Sequence, residues 1–509
     1  MSLFDTIAAK FGYKKAGPKR STGYAAAEIS RLTSSLRADT EFINNTLRYQ
    51  LRTLRARSRA ATQNNPFGRR FMQMCVDNIA GPDPFKLEAC VKNRSSKPDV
   101  VANEAIEHAW KAFCKAGQCE ITRKWSMNAV IRLLVRIWAT DGEVLVRFYK
   151  GPQYGKHGLL LQIIDVDRLW EQKNASLANG GAIHMGVEVD AMQKPVAYHI
   201  AKRKPASWQT NPVSMDFEIV PADEILHLYI PEFAEQIRGV PWMYAALLNL
   251  VHMGAFEEAA VINARIGAAQ MGFITTPDGE APTGDGETTT GLAQFDAEPG
   301  TFRVLADGQT IEGWNPAFPQ AAVEPFIKAM LRGVAAGIGV AYHNLANDLE
   351  GVNYSSARIG ELDERDSWKV LQSFFTEHAM EPIVCGQWMP QAILAGVLPF
   401  RLDQIDKYAD VYFQARRWEW VDPYKEVQAR VMAIDNKLTS RTRTIAEQGD
   451  DIEDVFEELQ AEEKMFKQYG ISPMPPGKAP AQPAAAADST APADGEGQDT
   501  ATTTTEADS

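Results

Sequence analysis

Between Val240 and Met271 the chain carries three charges, Glu257, Glu258 and Arg265, among apolar residues at helical spacing. A continuous helix there would be about 48 Å long at ~1.5 Å per residue. Its longest uncharged stretch, Val240–Phe256, holds Pro241, Asn249, His252 and Gly254, whereas a membrane span needs roughly 20 cleaner apolar residues. Protein must therefore bury this helix. Helical period returns at about Val323. Before it come a Gly/Thr/Pro-rich stretch, Thr275–Thr290, and two β-like runs, Thr301–Leu305 and Gln309–Trp314, read as a hairpin across Ala306-Asp307-Gly308. A small β module is thus inserted between a long helix and a short one.

The second helix leads into Leu331–Arg358 (LRGVAAGIGVAYHNLANDLEGVNYSSAR). Glycines at 333, 337 and 339 leave it a smooth side suited to close packing. After about Val340 the pattern reads as a polar loop carrying His343, Asn344, Asn347, Asp348 and Asn353, before a charged helix starting at Tyr354-Ser355-Ser356. Long polar loops between helices are commonly functional. The same side chains could also serve as caps, with Asn344 or Asn347 ending one helix and Asn353 or Ser355 starting the next.

Upstream, Met127–Thr140 reads as an apolar helix. Glu143–Tyr149, Leu159–Ile164, Met185–Val189, Val196–Ile200 and Ile225–Tyr229 read as strands between Gly, Pro, Asp and Asn. They predict an α+β domain with a mostly antiparallel sheet. Asn44–Ala61 is a predicted helix with Leu47, Leu51 and Leu54 on one face and Arg48, Arg52, Arg55 and Arg59 in a second stripe. A solvated face and an anionic partner surface both fit that stripe. Asn64-Asn65-Pro66 should break this helix, and Phe67–Ala80 should resume it. After Tyr354 the chain reads as nearly all helical to Gly470, with Asp422-Pro423 as a helix start and Ile452, Val455, Phe456, Leu459 and Phe466 on one face of the last helix. Residues 471–509 have almost no large apolar side chain and are expected to be disordered.

The net charge of −12 argues against a protein that grips nucleic acid by charge alone. Met1–Lys10 lacks the charged start and apolar run of a secretory signal. Five cysteines (75, 90, 114, 119, 385) without a CxxC pair read as reduced core thiols of a protein made in the cytoplasm. The eight histidines show no zinc spacing, and no phosphate loop, nucleophile elbow or dinucleotide fingerprint is present. Asp363 and Asp366 resemble a metal pair but fit a solvated or salt-bridged helix face better. No catalytic, metal or cofactor site is predicted.

Several blocks resemble, in order, the lambda-type portal proteins of tailed bacteriophages. They are LRARSRAATQNNPFGRR, IIDVDRL (163–169), GVEVDAMQKPVAYHI (186–200), VPADEILHLY (220–229), IRGVPWM (237–243), the 331–358 stretch and the helical signature at 416–459. The resemblance implies an α+β portal fold. Its parts would be a basic arm (1–44), a wing (45–237), a first stem helix (238–271), a β-containing clip (272–319), a second stem helix (320–340) and a tunnel loop (341–353). Wing helices (354–415), a crown (416–470) and a disordered acidic tail (471–509) would follow. It further implies a homododecameric ring at one capsid vertex of the virion, assembled in the host cytoplasm. Double-stranded DNA would pass through its channel without sequence preference, touching His343, Asn344, Asn347, Asp348 and Asn353. The clip, with Phe295, Phe302 and Trp314, would dock the terminase large subunit and later the head–tail completion proteins; capsid and scaffolding proteins would be further partners, and no membrane is implied. A metal-dependent enzyme acting on nucleic acid and a channel-free head scaffolding protein are the alternatives.

Overall fold

A computed structural model describes residues 41–93, 95–178, 180–202, 216–268, 272–275, 310–313, 323–350, 354–418, 423–446 and 452–469. The chain divides into two compact units, with the boundary between Val421 and Asp422.

The first unit opens with helix α1 (Ile43–Asn64), longer than expected, whose Leu47 and Leu51 pack against Met185. Asn65 then breaks the helix in extended conformation. Its side chain accepts from the N–H groups of Phe67 and Gly68 to cap α2 (Pro66–Cys75), with Pro66 in the first turn. A π-helical turn, Val76–Ala80, extends α2 until Gly81, at φ 70°, ends it.

Strand β1 (Lys86–Ala89) and helix α3 (Val100–Phe113) lead to helix α4 (Met127–Asp141), whose N-terminus is capped by Ser126. Strands β2 (Glu143–Lys150), β3 (Leu159–Ile164), β4 (Ala175–Ser176), β5 (Ala182–His184), β6 (Val187–Val189), β7 (Pro195–Ala201), β8 (Phe217–Pro221) and β9 (Ile225–Tyr229) follow. They form two antiparallel sheets, β3-β2-β9 and β4-β5-β6-β7-β8. Alternation along β2 explains its position. Val144, Val146 and Phe148 join the main core with Trp138 of α4, while Leu145 joins a second core with Ile164, Val187 and Ile225. β2 is therefore buried on both faces, as its run of apolar residues suggests.

The expected long helix begins later than the sequence suggests, as α5 (Leu247–Ala268). Two glycines account for the delay. Gly142 (φ 83°) ends α4 in left-handed conformation, and a Cβ there would lie 2.1 Å from the Val240 carbonyl carbon; a Cβ on Gly239 would meet the Gly142 oxygen at the same distance. The backbones cross almost in contact, and the segment around Pro241 turns before the helix can start, with Trp242 N–H bonding Ala139. Trp242 then sits edge-on to the buried Trp138, centroids 4.8 Å apart.

Strands β10 (Gly272–Thr275) and β11 (Thr310–Gly313) pair antiparallel beyond α5. The expected strand at 309–314 is thus present, but its described partner is 272–275; Thr301–Leu305 lies outside the described residues. Helix α6 (Val323–Ile338), one short turn α7 (Tyr342–Ala346) and helix α8 (Tyr354–Phe375) come next. The chain stays helical to Leu394 with wide π turns at Thr376–Met380 and Pro382–Trp388. Pro382 has no N–H to donate and its ring would crowd the carbonyl four residues earlier, so a widened turn accommodates it.

Helix does not continue unbroken to Gly470. Strand β12 (Val411–Gln414) pairs with β1, Lys86 opposite Gln414 and Ala89 opposite Val411. Its partner lies so far back in sequence that no local turn announces it. All five cysteines are free, and burial pushes the thiol of Cys119 up to about 11. Among the described residues no helix is long and apolar enough to cross a membrane.

The second unit holds α9 (Pro423–Asp435), α10 (Arg441–Ala446) and α11 (Ile452–Tyr469). Pro423 opens the first helix as expected, and Ser440 caps the second through Arg443 N–H at 3.1 Å. On the predicted apolar face Ile452 and Val455 are half-buried, while Phe456 and Leu459 are each 53% exposed, so the described residues cover only the start of that face.

Candidate functional site

Helices α5 and α6 run side by side, with Phe256 and Phe326 ring centroids 4.8 Å apart. Gly333 and Gly337 of α6 do face α5 and the residues just before it, but a Cβ on them would lie 3.5 Å from Asn249 and 3.6 Å from Ala245, ordinary contact distances, so the approach of the helices does not itself require glycine there. Gly339 instead ends the helix at φ 73°, and Val340 N–H returns to the Ala335 carbonyl at 3.1 Å.

The segment after Val340 is not the open loop expected from its polarity. Residues 342–346 wind into α7, and Asn347 closes it in left-handed conformation (φ 53°). Asparagine tolerates that conformation better than most residues. A carboxylate from another helix fixes the root of this turn. Glu364 of α8, 7% exposed, accepts from Ala341 N–H at 3.0 Å, Asn344 Nδ2 at 2.8 Å and Trp368 Nε1 at 3.0 Å. Arg70 Nε donates to the Asn344 carbonyl at 3.3 Å and Leu345 is buried. Asn344 therefore spends its amide on the fold.

The distal half is held differently. Asp348 accepts from Tyr342 OH at 2.7 Å and from Glu350 N–H at 3.0 Å. Lys328 of α6 reaches Glu324 at 2.7 Å, Glu350 at 2.8 Å and Asp348 at 3.6 Å. The Tyr342 bond, with Lys328 adding to it, holds the Asp348 carboxyl below its usual range, and the Glu324 and Glu350 bonds raise Lys328. Arg332 lies 5.4 Å over the Tyr342 ring. His343 is half-buried, Asn347 exposed and Leu349 70% exposed. His343, Asn344, Asn347 and Asp348 thus share one short segment. Asn353 lies outside the described residues, as do Phe295, Phe302 and Trp314.

Sequence reasoning missed Glu364, Lys328 and Tyr342. Glu364 sits inside a run that reads as a solvated face, and the clue available was Trp368 one helical turn on, an indole needing an acceptor. Asp363 and Asp366 are exposed; Asp366 pairs with Lys369 at 2.8 Å. Among the described residues no group of His, Cys, Asp and Glu is arranged to hold a metal ion. A surface cavity of about 440 Å³ beside β3 is lined by Trp125, Leu133 and Ile163; its carboxylate, Glu120, is engaged by Thr122 at 2.6 Å.

Residues 30–372 match the model of the lambda family of phage portal proteins. A probable portal protein of Halomonas phage phiHAP-1 is 32% identical over 434 residues, covering 84% of this chain and 83% of the relative. Portal protein B of Escherichia phage lambda is 22% identical over 463 residues, covering 82% and 84%. Among solved structures, a chain from the virion of a native gene transfer agent particle aligns over 79% of this chain and 93% of its own, at 14% identity and a TM-score of 0.42. With the α+β body and the helix pair flanking a β ladder in place, the family match over most of the chain settles its membership: it belongs to the lambda family of phage portal proteins.

Proposed function

We propose that this portal protein forms a homododecameric ring at one vertex of the phage head, through which double-stranded DNA is packaged and ejected. The observation that carries the ring is the outer side of α5. Leu248, Val251, Val261 and Ile262 are 65%, 66%, 50% and 48% exposed, an apolar surface that the described residues leave uncovered. A head-to-tail neighbour would cover it, and heterologous contacts of this kind build a ring when the rotation between neighbours closes. In this reading the 341–353 segment lines the channel and touches the duplex without sequence preference. Asn347, exposed at the tip of α7, offers an amide to phosphate oxygens or bridging waters. Residues 272–319 form the clip that receives the terminase large subunit during packaging and head–tail completion proteins afterwards. Capsid and scaffolding proteins surround the ring, which is assembled in the host cytoplasm and kept in the virion. The chain carries out no catalysis of its own.

Mass measurement of the purified protein checks the ring. The parent should give a dodecamer, and Leu248→Asp with Val251→Asp should give folded monomers with unchanged circular dichroism. A ring that survives both substitutions would place the subunit contact elsewhere. Asn347→Arg should slow packaging most at low salt, because each added cation gains counterion-release affinity for DNA; normal packaging at every salt concentration would remove this segment from the channel.

A further inference from the structure

The 341–350 segment is fastened at two points of different character. Its root is sunk in the body by Leu345 and by the Glu364 carboxylate, which takes hydrogen bonds from Ala341 and Asn344. Its distal half, beyond the left-handed Asn347, is fastened to α6 by Lys328, which holds Glu350 at 2.8 Å and Asp348 at 3.6 Å. Glu350 is 75% exposed and Leu349 between the two acids is 70% exposed, while Lys328 and Asp348 keep 27% and 21% of their side-chain surface in water, so ions in solution reach this second fastening from the Glu350 side. We propose that Lys328 is a latch: its ion pairs with Asp348 and Glu350 strap the distal half of the segment along α6, and the strap opens when other ions compete for the ammonium group.

The geometry supplies what a strap needs. Asn347 lies where backbone direction can change, between a rooted turn and a tethered tip. Ion pairs in contact with water are weakened by salt far more than buried ones. Glu324, 2.7 Å from Lys328 on the same helix, keeps the ammonium paired after the tip leaves, so release does not strand a charge. In the channel reading proposed above, on which this one step rests, the phosphates of passing DNA are the competing anions. They would take the ammonium from Asp348 and Glu350, and the freed acidic tip would be repelled by the same duplex.

A spin label on Leu349→Cys tests the latch in the assembled full-length protein, with the equally treated parent as control for its five native thiols. The label should give a slow component at low salt that is lost in high sodium chloride. Lys328→Met should lose that component already at low salt, and Lys328→Arg should keep it. Equal label mobility in the parent and Lys328→Met at low salt would overturn the latch. Adding short duplex DNA separates this inference from the channel reading. Release by salt and by Lys328→Met but not by DNA leaves the latch standing and removes the segment from the DNA path. Release by DNA together with indifference to Lys328→Met keeps the channel placement and removes the latch.

Discussion

Two clusters of ion pairs in this protein use the same chemistry to opposite ends. Around Glu143 in β2 the groups are buried. The carboxylate, with no exposure, receives Arg238 at 2.7–3.1 Å, His227 Nε2 at 3.0 Å, Gly239 N–H at 3.1 Å and Arg55 at 3.4 Å. Arg55 also reaches Asp167 at 2.8 Å and contacts Glu171, while Arg59 spans Asp141, Asp165 and Asp167 at 2.6–3.0 Å. Around Lys328 two of the three partners, Glu324 and Glu350, are 70% and 75% exposed, and Lys328 and Asp348 themselves are half-buried. The Glu143 cluster ties α1, two sheet strands and the approach to α5 at one point; its centre, Glu143 with Arg238, Arg55 and His227, is cut off from water, so losing a member there strands the others, whereas its rim at Asp165 and Asp167 meets solvent. The exposed cluster can lose a member to solvent or to another ion. Burial decides whether an ion pair acts as a keystone or as a catch.

Glu143→Gln should therefore produce the largest effect in the molecule. It leaves two buried guanidinium groups short of a counter-charge, a loss of about 3–5 kcal/mol, read as a lowered denaturant midpoint. Replacing Arg238 by Met should do the same from the other side. A loss under about 1 kcal/mol would mean that water reaches this site and that the contrast with Lys328 fails.

Acid should reveal the same cluster. Burial raises the Glu143 carboxyl, but Arg238 and the His227 bond outweigh that and hold it well below the usual carboxylate range; burial lowers His227. Both folded-state values lie under the unfolded ones, so the unfolded chain takes up protons first and stability falls with pH. The decline should begin below about 6.5, where unfolded histidine charges, and steepen below about 4.3, where unfolded glutamate protonates. His227→Gln should flatten the upper part and leave the lower part in place.

The arginine stripe of α1 shows how much of this was legible. Spacing put Arg48, Arg52, Arg55 and Arg59 in one stripe, but a solvated face describes only half of it: Arg48 and Arg52 are exposed, while Arg55 is 1% exposed and Arg59 half-buried, both turned to carboxylates of this same chain rather than to a partner. Helical period says which residues share a face, but not that residues 141–171 fold back beneath it. Strands β2, β3 and β9 were readable because each is an apolar run between turn residues. β1 and β12 were not, because four residues pairing across more than three hundred leave no local mark. At the candidate site the side of α6 that faces α5 was legible from Gly333 and Gly337, but the role of Gly339, which ends the helix at positive φ, was not. The turn α7 was not, because its root is a single carboxylate from the next helix.

Glu364 tests an intermediate case, buried like Glu143 but facing neutral donors. Glu364→Gln keeps one acceptor oxygen and turns an NH₂ group toward donors. Stability should fall by about 1–3 kcal/mol for buried groups left without partners. Hydrogen exchange at Ala341 should rise by more than at Val340, whose N–H bonds to Ala335 within its own helix end. Equal change at both would show that α6 and α7 open as one piece and that Glu364 is not the anchor of the root.

The smallest effect belongs to the pair the sequence made most suggestive. Asp363 and Asp366 are three residues apart on α8, a spacing that puts two carboxylates on one helix face and could serve a divalent ion. Both are exposed, and Asp366 is 74% exposed and paired with a Lys369 that is itself 61% exposed. With neither burial nor a third carboxylate, a pair in water contributes little, and Asp363→Asn with Asp366→Asn should shift stability by no more than about 0.5 kcal/mol. Calorimetric titration with magnesium or manganese should give the same trace before and after the substitutions. Saturable heat that disappears with the two aspartates would make this face a metal site after all. It would also show that an exposed carboxylate pair, unlike the catch at Lys328, can be more than a reversible contact.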